Sequence, residues 1–170
     1  MSDSDDQADA ELKARILAVL DENRIMCLAT VRPDGWPQAT LVGYAHDDLT
    51  LYFAVSAVSQ KLENIRRDPR VSIAIGQDDR DHIRGLSMAA LASVVSDPGE
   101  VERLNRLLSL RYPEQIVFSP QGISSALMRA APDIISLVDH SKGPGQPQLM
   151  MVSRQTSVHS ANRSSPSAND

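Results

Sequence analysis

The residues best suited to chemistry lie at the start of a short predicted helix, where Ser59 and Lys61 stand two positions apart. Ser59 is a favoured N-cap residue, because its side-chain oxygen can accept one of the unpaired N–H groups of the first helical turn. The N-terminus of a helix favours negative charge, so Lys61 in that turn would make it a binding position for an anion such as a phosphate monoester. The alternative interpretation is a connecting helix with solvated charges.

Other chemistries lack the residues that they need. The sequence contains no GxSxG, GxGxxG or GxxxxGK motif. The four histidines do not have the spacing of metal ligands, and Cys27 lies in an apolar run that predicts a buried side chain. The sequence therefore predicts no metal site, and it identifies no catalytic residue.

A second candidate for phosphate contact is the segment 139–145, in which a basic residue, Lys142, stands beside two glycines after a predicted strand. A plain hairpin turn explains the same residues. The acidic residues around Arg80 are interpreted as a solvated loop.

Composition limits the classes of function. Apolar residues make up 42% of the 170 residues, and the net charge is 17 − 22 = −5, which argues against nucleic-acid binding. No apolar stretch approaches the roughly 20 residues that span a bilayer, and the acidic start does not resemble a signal peptide. We expect a single domain, in a reducing cytoplasm, without a membrane or nucleic-acid partner.

The predicted elements surround the Ser59 helix with strands. Asp9 is the predicted cap of a first helix that ends near Glu22, and Arg32-Pro33-Asp34-Gly35 predicts a tight hairpin turn. The stretch from His82 to Val95 is predicted as a strand with a bend near Gly85, although helix propensity is also high there. Strands are further predicted at 25–31, 37–45, 49–53, 71–75, 134–138 and 149–152, and helices at 100–112 and, shorter, after Gly122.

Strands joined by short turns predict a mainly β (α+β) fold. We expect an antiparallel meander closed into a small barrel, with the helices packed outside. Residues 9–152 would form this domain, between a disordered N-terminus at 1–8 and a disordered C-terminal tail at 153–170, which is rich in Ser and Asn.

In this order the pieces resemble the pyridoxamine 5′-phosphate oxidase-like superfamily, the FMN-binding split barrels. The resemblance runs from about Ile16 to Ser96, and more loosely to Val152. Its fragments are Pro33-Asp34-Gly35-Trp36-Pro37, Leu51-Tyr52-Phe53 and Ser59-Gln60-Lys61, followed by Asn64-Ile65 and Asp68-Pro69-Arg70-Val71.

The resemblance implies a homodimer of six-stranded antiparallel split β-barrels with peripheral helices, and two FMN sites at the subunit interface. Ser59, Gln60 and Lys61 match the positions around the flavin phosphate. Thr40, Leu41 and Val42 match the strand that faces the isoalloxazine ring and the ribityl chain, while Ala54 and Val55 match a second strand of the site.

The sequence departs from the pyridoxamine 5′-phosphate oxidases at three cationic positions. Thr40, Ala45 and Gln60 stand where those enzymes carry Arg, Lys and Arg. Relatives with such departures include flavin reductases, deazaflavin-dependent reductases and haem-binding proteins. The resemblance thus implies a flavin-dependent oxidoreductase for an unknown small molecule, or alternatively a non-catalytic carrier of flavin, deazaflavin or haem.

Overall fold

The computed structural model describes residues 3–79, 82–113, 124–140 and 146–152. In these segments three helices pack against one antiparallel sheet of eight strands, six of which have seven residues or more. The helices are α1 (Asp3–Glu22), α2 (Gln60–Arg67) and α3 (Pro98–Arg111). The strands are β1 (Ile25–Val31), β2 (Pro37–Gly43), β3 (Ala45–Asp47), β4 (Thr50–Ser56), β5 (Arg70–Asp79), β6 (His82–Val94), β7 (Ser125–Asp139) and β8 (Gln148–Met151).

The sheet is curled into a barrel that stays open along one seam. Its strand order is β2-β1-β5-β6-β7-β4-β3, with β8 paired to β7. The two ends of this order come together where β2 approaches β4 without forming a ladder, and α2 lies close to β1, β4 and β6. This is the predicted split barrel, and we call the gap between β2 and β4 the seam.

The barrel interior is mainly aliphatic. Side chains alternate between the two faces of each strand, and most of the inward ones are aliphatic. Leu28, Ile73, Met88 and Ile135 form one inward row across four neighbouring strands, and each is at most 1% exposed. Ile16, Val19 and Leu20 of α1 join the same core. Burying one such side chain stabilises the fold by roughly 1.5–3 kcal/mol.

The β1–β2 hairpin has the predicted turn. The Gly35 N–H donates to the Arg32 carbonyl at 2.9 Å, and Gly35 has a φ of 86°, which glycine adopts without strain. Trp36, directly after this turn, is 71% exposed.

Two predicted boundaries are wrong by several residues. Helix α1 begins at Asp3 rather than at Asp9, because acidic residues in a first turn complement the helix dipole. Strand β5 continues through the predicted charged loop as far as Asp79, because its backbone pairs with β6 in the register Gln77↔Arg84 to Asp79↔His82.

The predicted short helix after Gly122 is wrong where the structure describes the chain. Residues from Ser125 onward belong to β7, which pairs with β4 from Ser56↔Ser125 to Leu51↔Ala130. Pairing on both edges overrides local helix propensity. The segment 153–170 lies outside the described residues, as do positions 141–145 of the candidate turn.

Strand β6 is confirmed as a strand, and its irregularity lies between Ala89 and Ala90, where the register with β7 shifts. The predicted bend at Gly85 is instead a close approach of two backbones. A Cβ atom on Gly85 would lie 2.9 Å from the Ile75 carbonyl oxygen, and one on the facing Gly76 would lie 2.9 Å from the Arg84 carbonyl oxygen.

A polar contact joins α3 to the end of α1, and we call it the clasp. The Arg111 Nη2 donates to the carbonyl of Leu20 at 2.7 Å and also to that of Asn23. The Tyr44 N–H donates to the Tyr112 hydroxyl at 2.7 Å, and the Tyr44 hydroxyl donates to the Leu20 carbonyl at 2.9 Å. The bonds to Leu20 and Asn23 satisfy carbonyls that the end of α1 leaves unpaired.

Candidate functional site

Helix α2 is held at its start by the predicted cap. Ser59 has extended backbone angles (φ −79°, ψ 142°), and its Oγ accepts a hydrogen bond from the Leu62 N–H at 3.3 Å. Leu62 and Ile65 face the barrel core and are at most 3% exposed. The helix ends at Asp68, whose N–H donates to the Asn64 carbonyl at 2.8 Å. The N–H groups of Leu62 and Glu63 are thus bonded to Ser59, while Gln60 at the start of the helix is exposed and Lys61 is partly exposed.

Lys61 is a partly buried cation in this first turn. Burial lowers the pKa of its ammonium, since desolvation disfavours the charged form. Within the described part of the chain, no carboxylate forms an ion pair with Lys61. A partly desolvated cation beside a helix N-terminus is suited to bind an anion.

The three predicted residues of β2 do not share one face. Thr40 and Val42 point inward, opposite Leu28 and Met26 of β1, whereas Leu41 points outward and is 75% exposed. The Thr40 Oγ1 is buried and has no hydrogen-bond partner among the described residues. A buried hydroxyl is normally paired, so this oxygen can accept or donate one more hydrogen bond.

Ala54 and Val55 lie on the other side of the seam. Strand β3 pairs only with Thr50–Tyr52, so the second half of β4 has no neighbouring strand on that edge in the segments described. Val55 is buried in the core, while Ala54 is partly exposed. The structure thus places one group of predicted residues on β2, one on β4 and one at the start of α2, and these elements lie at or beside the seam.

Next to these residues lies a buried side-chain amide that the sequence analysis did not identify as part of the site. Asn64 of α2 is fully buried, and its Nδ2 donates to Thr30 Oγ1 at 2.9 Å and to Gln38 Oε1 at 3.0 Å. Its Oδ1 accepts a hydrogen bond from Gln60 Nε2 at 3.0 Å. The signal was present in the sequence, since a polar residue stands directly before Ile65 on the apolar side of this helix.

Gln60 and Ala45 stand at two of the three positions where the pyridoxamine 5′-phosphate oxidases carry cations. The Gln60 amide also donates to Glu63 Oε2 at 3.4 Å, in addition to its bond with Asn64. Ala45 is completely buried against α3 in the cluster with Leu108 and Tyr112. Lys61 therefore provides the positive charge among the eight predicted site residues.

Two open clefts lie away from Ser59 and Lys61. One, of about 670 Å³, is lined by β1, β2 and β5 residues that include Cys27, Leu41 and Ala74. The other, of about 480 Å³, lies near the end of α2 beside Asp68 and Arg70. Among the described residues no group of three or more His, Cys, Asp or Glu side chains is arranged to hold a metal ion.

Comparison with known proteins identifies the family of this chain. Residues 12–139 match the pyridoxamine 5′-phosphate oxidase family. The chain belongs to this family. A curated relative, general stress protein 26 of Bacillus subtilis (strain 168), is 37% identical over 68 residues, which is 40% of this chain and 48% of the relative. The chain thus spans about half the length of this relative.

Solved structures of other proteins have the same fold. A conserved hypothetical protein of Mycobacterium tuberculosis is 29% identical, with a TM-score of 0.68 over 85% of this chain and 93% of its own. The haem storage protein of Vibrio cholerae is 21% identical, with a TM-score of 0.60 over 82% of this chain and 94% of its own. This likeness concerns the fold alone. No helix in the described segments is long and apolar enough to span a membrane.

Proposed function

We propose that this family member binds FMN at the seam and acts as a flavin-dependent oxidoreductase for a small molecule in the cytoplasm. The observation that carries the proposal is Lys61, a partly buried cation without a carboxylate partner in the described residues, at the capped start of α2. A phosphate monoester would provide the missing counter-charge. Flavin mononucleotide combines such a phosphate with a ring and a chain that the two strand edges can contact.

The residues around the seam suit the parts of this cofactor. Ser59, Lys61 and the N–H groups of the first turn of α2 would hold the phosphate, and Gln60 stands beside them. Thr40, with its unpaired buried hydroxyl, would give one hydrogen bond to the polar ribityl chain or ring edge. Leu41, Val42, Ala54 and Val55 would supply apolar and backbone contacts.

The protein would mainly bind and orient the cofactor. When bound, the flavin supplies hydride or electron transfer. The eight proposed site residues include no His, Cys, Asp or Glu, and we assign a proton-transfer role to none of them. Their contribution is to fix the phosphate, to exclude water from the seam and to leave one face open for the substrate.

We further propose that the protein works as a homodimer. The outward positions of β2, β1, β5, β6 and β7 form two cross-strand rows without a charged residue, and we call them the outer face. The rows are Leu41, Cys27, Ala74, Ser87, Ser136 and Ala39, Ala29, Ser72, Ala89, Ile134. A broad uncharged surface of this kind is typical of an interface between subunits.

The alternative is a non-catalytic carrier of flavin, deazaflavin or haem. It is favoured by the absence of charge at Thr40, Ala45 and Gln60, because a single cation binds a phosphate less tightly than several do. The haem storage protein of Vibrio cholerae shares the fold, so the same seam in this chain is a candidate haem site.

The absorption spectrum of freshly purified protein distinguishes these functions. We expect flavin bands and about one FMN released per chain on denaturation. Reduction of the bound flavin by a nicotinamide donor, or by one of a panel of small substrates, would support the oxidoreductase. Stoichiometric FMN that no donor reduces would leave the carrier role, and a Soret band on haem titration without flavin uptake would overturn the FMN proposal.

A further inference from the structure

Outside the residues proposed to contact FMN, the buried amide of Asn64 is the strongest feature that the proposed function does not explain. A side-chain amide is a costly group to bury, and it is tolerated when its donors and acceptor are paired. Asn64 makes three such bonds, with Thr30 on β1, Gln38 on β2 and Gln60 at the start of α2. Its side chain therefore connects α2 to β1 and β2, on the β2 side of the seam.

The partners of Asn64 lie next to the proposed cofactor contacts. Gln60 stands between Ser59 and Lys61, and Gln38 precedes Thr40 by two positions on the same inward face of β2. Strand β2 is an edge strand that pairs only with β1 among the described strands. Edge strands move more easily than central ones, so a fixed cross-link to α2 limits how far β2 can move at this point.

We propose that Asn64 is a positioning residue that fixes the start of α2 relative to β2, and thereby sets the separation between the phosphate-binding and the ribityl-binding groups. This inference rests on the proposed FMN site. Asn64 is fully buried between α2 and the neighbouring strands, so it would act through its hydrogen-bond partners rather than by contact with the cofactor. Its effect is expected on ligands that must reach both ends of the site at once.

The test compares FMN with riboflavin, which lacks the phosphate and needs only the ribityl and ring contacts. In Asn64→Leu, which keeps the number and branching of the side-chain heavy atoms and removes all three hydrogen bonds, we expect the Kd for FMN to rise about three- to tenfold. The Kd for riboflavin should change less than about twofold. Ile65→Val, a buried change at the neighbouring position of α2, is the matched control and should leave both constants unchanged.

A second measurement separates this inference from the FMN proposal. Hydrogen exchange of the ligand-free protein should be faster for the backbone amides of residues 60–64 in Asn64→Leu than in Ile65→Val. Gln38→Leu, at a partly exposed position, should give a smaller change of the same kind and covers the case in which Asn64→Leu does not fold. Equal exchange in variant and control, or equal losses for FMN and riboflavin, would overturn the positioning role.

If the wild-type protein binds neither ligand, the FMN proposal fails while the exchange experiment still gives a result. Faster exchange confined to residues 60–64 would then support Asn64 as the cross-link between α2 and β2. The missing binding of both ligands would overturn the link between this cross-link and the cofactor.

Discussion

Lys61 is the residue on which the proposed phosphate site depends most directly. A hydrogen bond to a charged group contributes about 1.5–3 kcal/mol, so Lys61→Ala should weaken FMN binding by roughly 10- to 150-fold. Riboflavin binding should hardly change. Fluorescence titration with both ligands measures the difference, and Lys13→Ala, which removes an exposed lysine paired with Asp48 at 2.8 Å, is the control. Equal losses for the two ligands would refute the assignment of the phosphate to Lys61.

The pH dependence of stability should report on Tyr44. Burial raises the pKa of its hydroxyl well above the ordinary value, so the folded protein retains a proton that the unfolded chain loses above about pH 10. The free energy of unfolding should therefore fall as the pH rises through that value. Tyr44→Phe should be less stable near neutral pH, by about 1 kcal/mol for the lost hydrogen bond to Leu20, yet show a shallower alkaline decline.

Urea denaturation at several pH values between about 8 and 11 measures this slope. Tyr112 contributes to the same decline, because burial also raises its pKa, so the slope should be reduced in Tyr44→Phe rather than abolished. An unchanged slope would show that the Tyr44 hydroxyl does not remain protonated in the folded state at alkaline pH.

At the scale of elements, the clasp couples α3 to α1. Arg111 is the central residue, and its guanidinium also lies 5.4 Å from the centre of the Tyr44 ring. Arg111→Ala should lower the free energy of unfolding by about 2–3 kcal/mol, because several helix-end carbonyls lose a charged donor together. Arg106→Ala removes an exposed pair with Glu102 on the same helix and should cost at most about 0.5 kcal/mol. Chemical denaturation of both variants makes the comparison, and equal costs would contradict the clasp.

The elements differ in how far the sequence predicts them. Local signals were sufficient for the β1–β2 hairpin, where Gly35 has the positive φ that its turn requires, and for α2, where Ser59 is the N-cap. They were insufficient for the start of β7, because the pairing of Ser125 with Ser56 joins residues far apart in the chain. The clasp could not be predicted for the same reason, because Arg111 and Leu20 are far apart in the chain.

The candidate site shows the same division. Ser59 and Lys61 could be identified from their spacing and from the family resemblance. The opposite orientations of Thr40 and Leu41 follow from strand register, which depends on the partner strand. The role of Asn64 needed the structure, because its hydrogen bonds cross from a helix to two strands, and Gln60 is linked to those strands through Asn64.

At the scale of the whole molecule, the outer face makes a prediction about assembly. Ala74→Glu places a charge in the middle of an uncharged row and should dissociate the proposed dimer, since an unpaired charge is costly to bury. Leu110→Glu changes a residue that is 81% exposed on α3, away from this face, and should leave the dimer intact. Light scattering at micromolar concentration is the measurement, and a wild-type species of 18.5 kDa alone would contradict the dimer.

The close approach of Gly76 and Gly85 has a consequence for inherited variation. At either codon a single-nucleotide change that replaces glycine adds at least one carbon atom, and that carbon would meet a neighbouring carbonyl oxygen at 2.9 Å. Neither position can compensate for the other, because each clash is with backbone rather than with a side chain. In a saturation library, both sites should therefore be depleted of nearly every replacement, alanine included, even though Gly76 lies at the exposed surface.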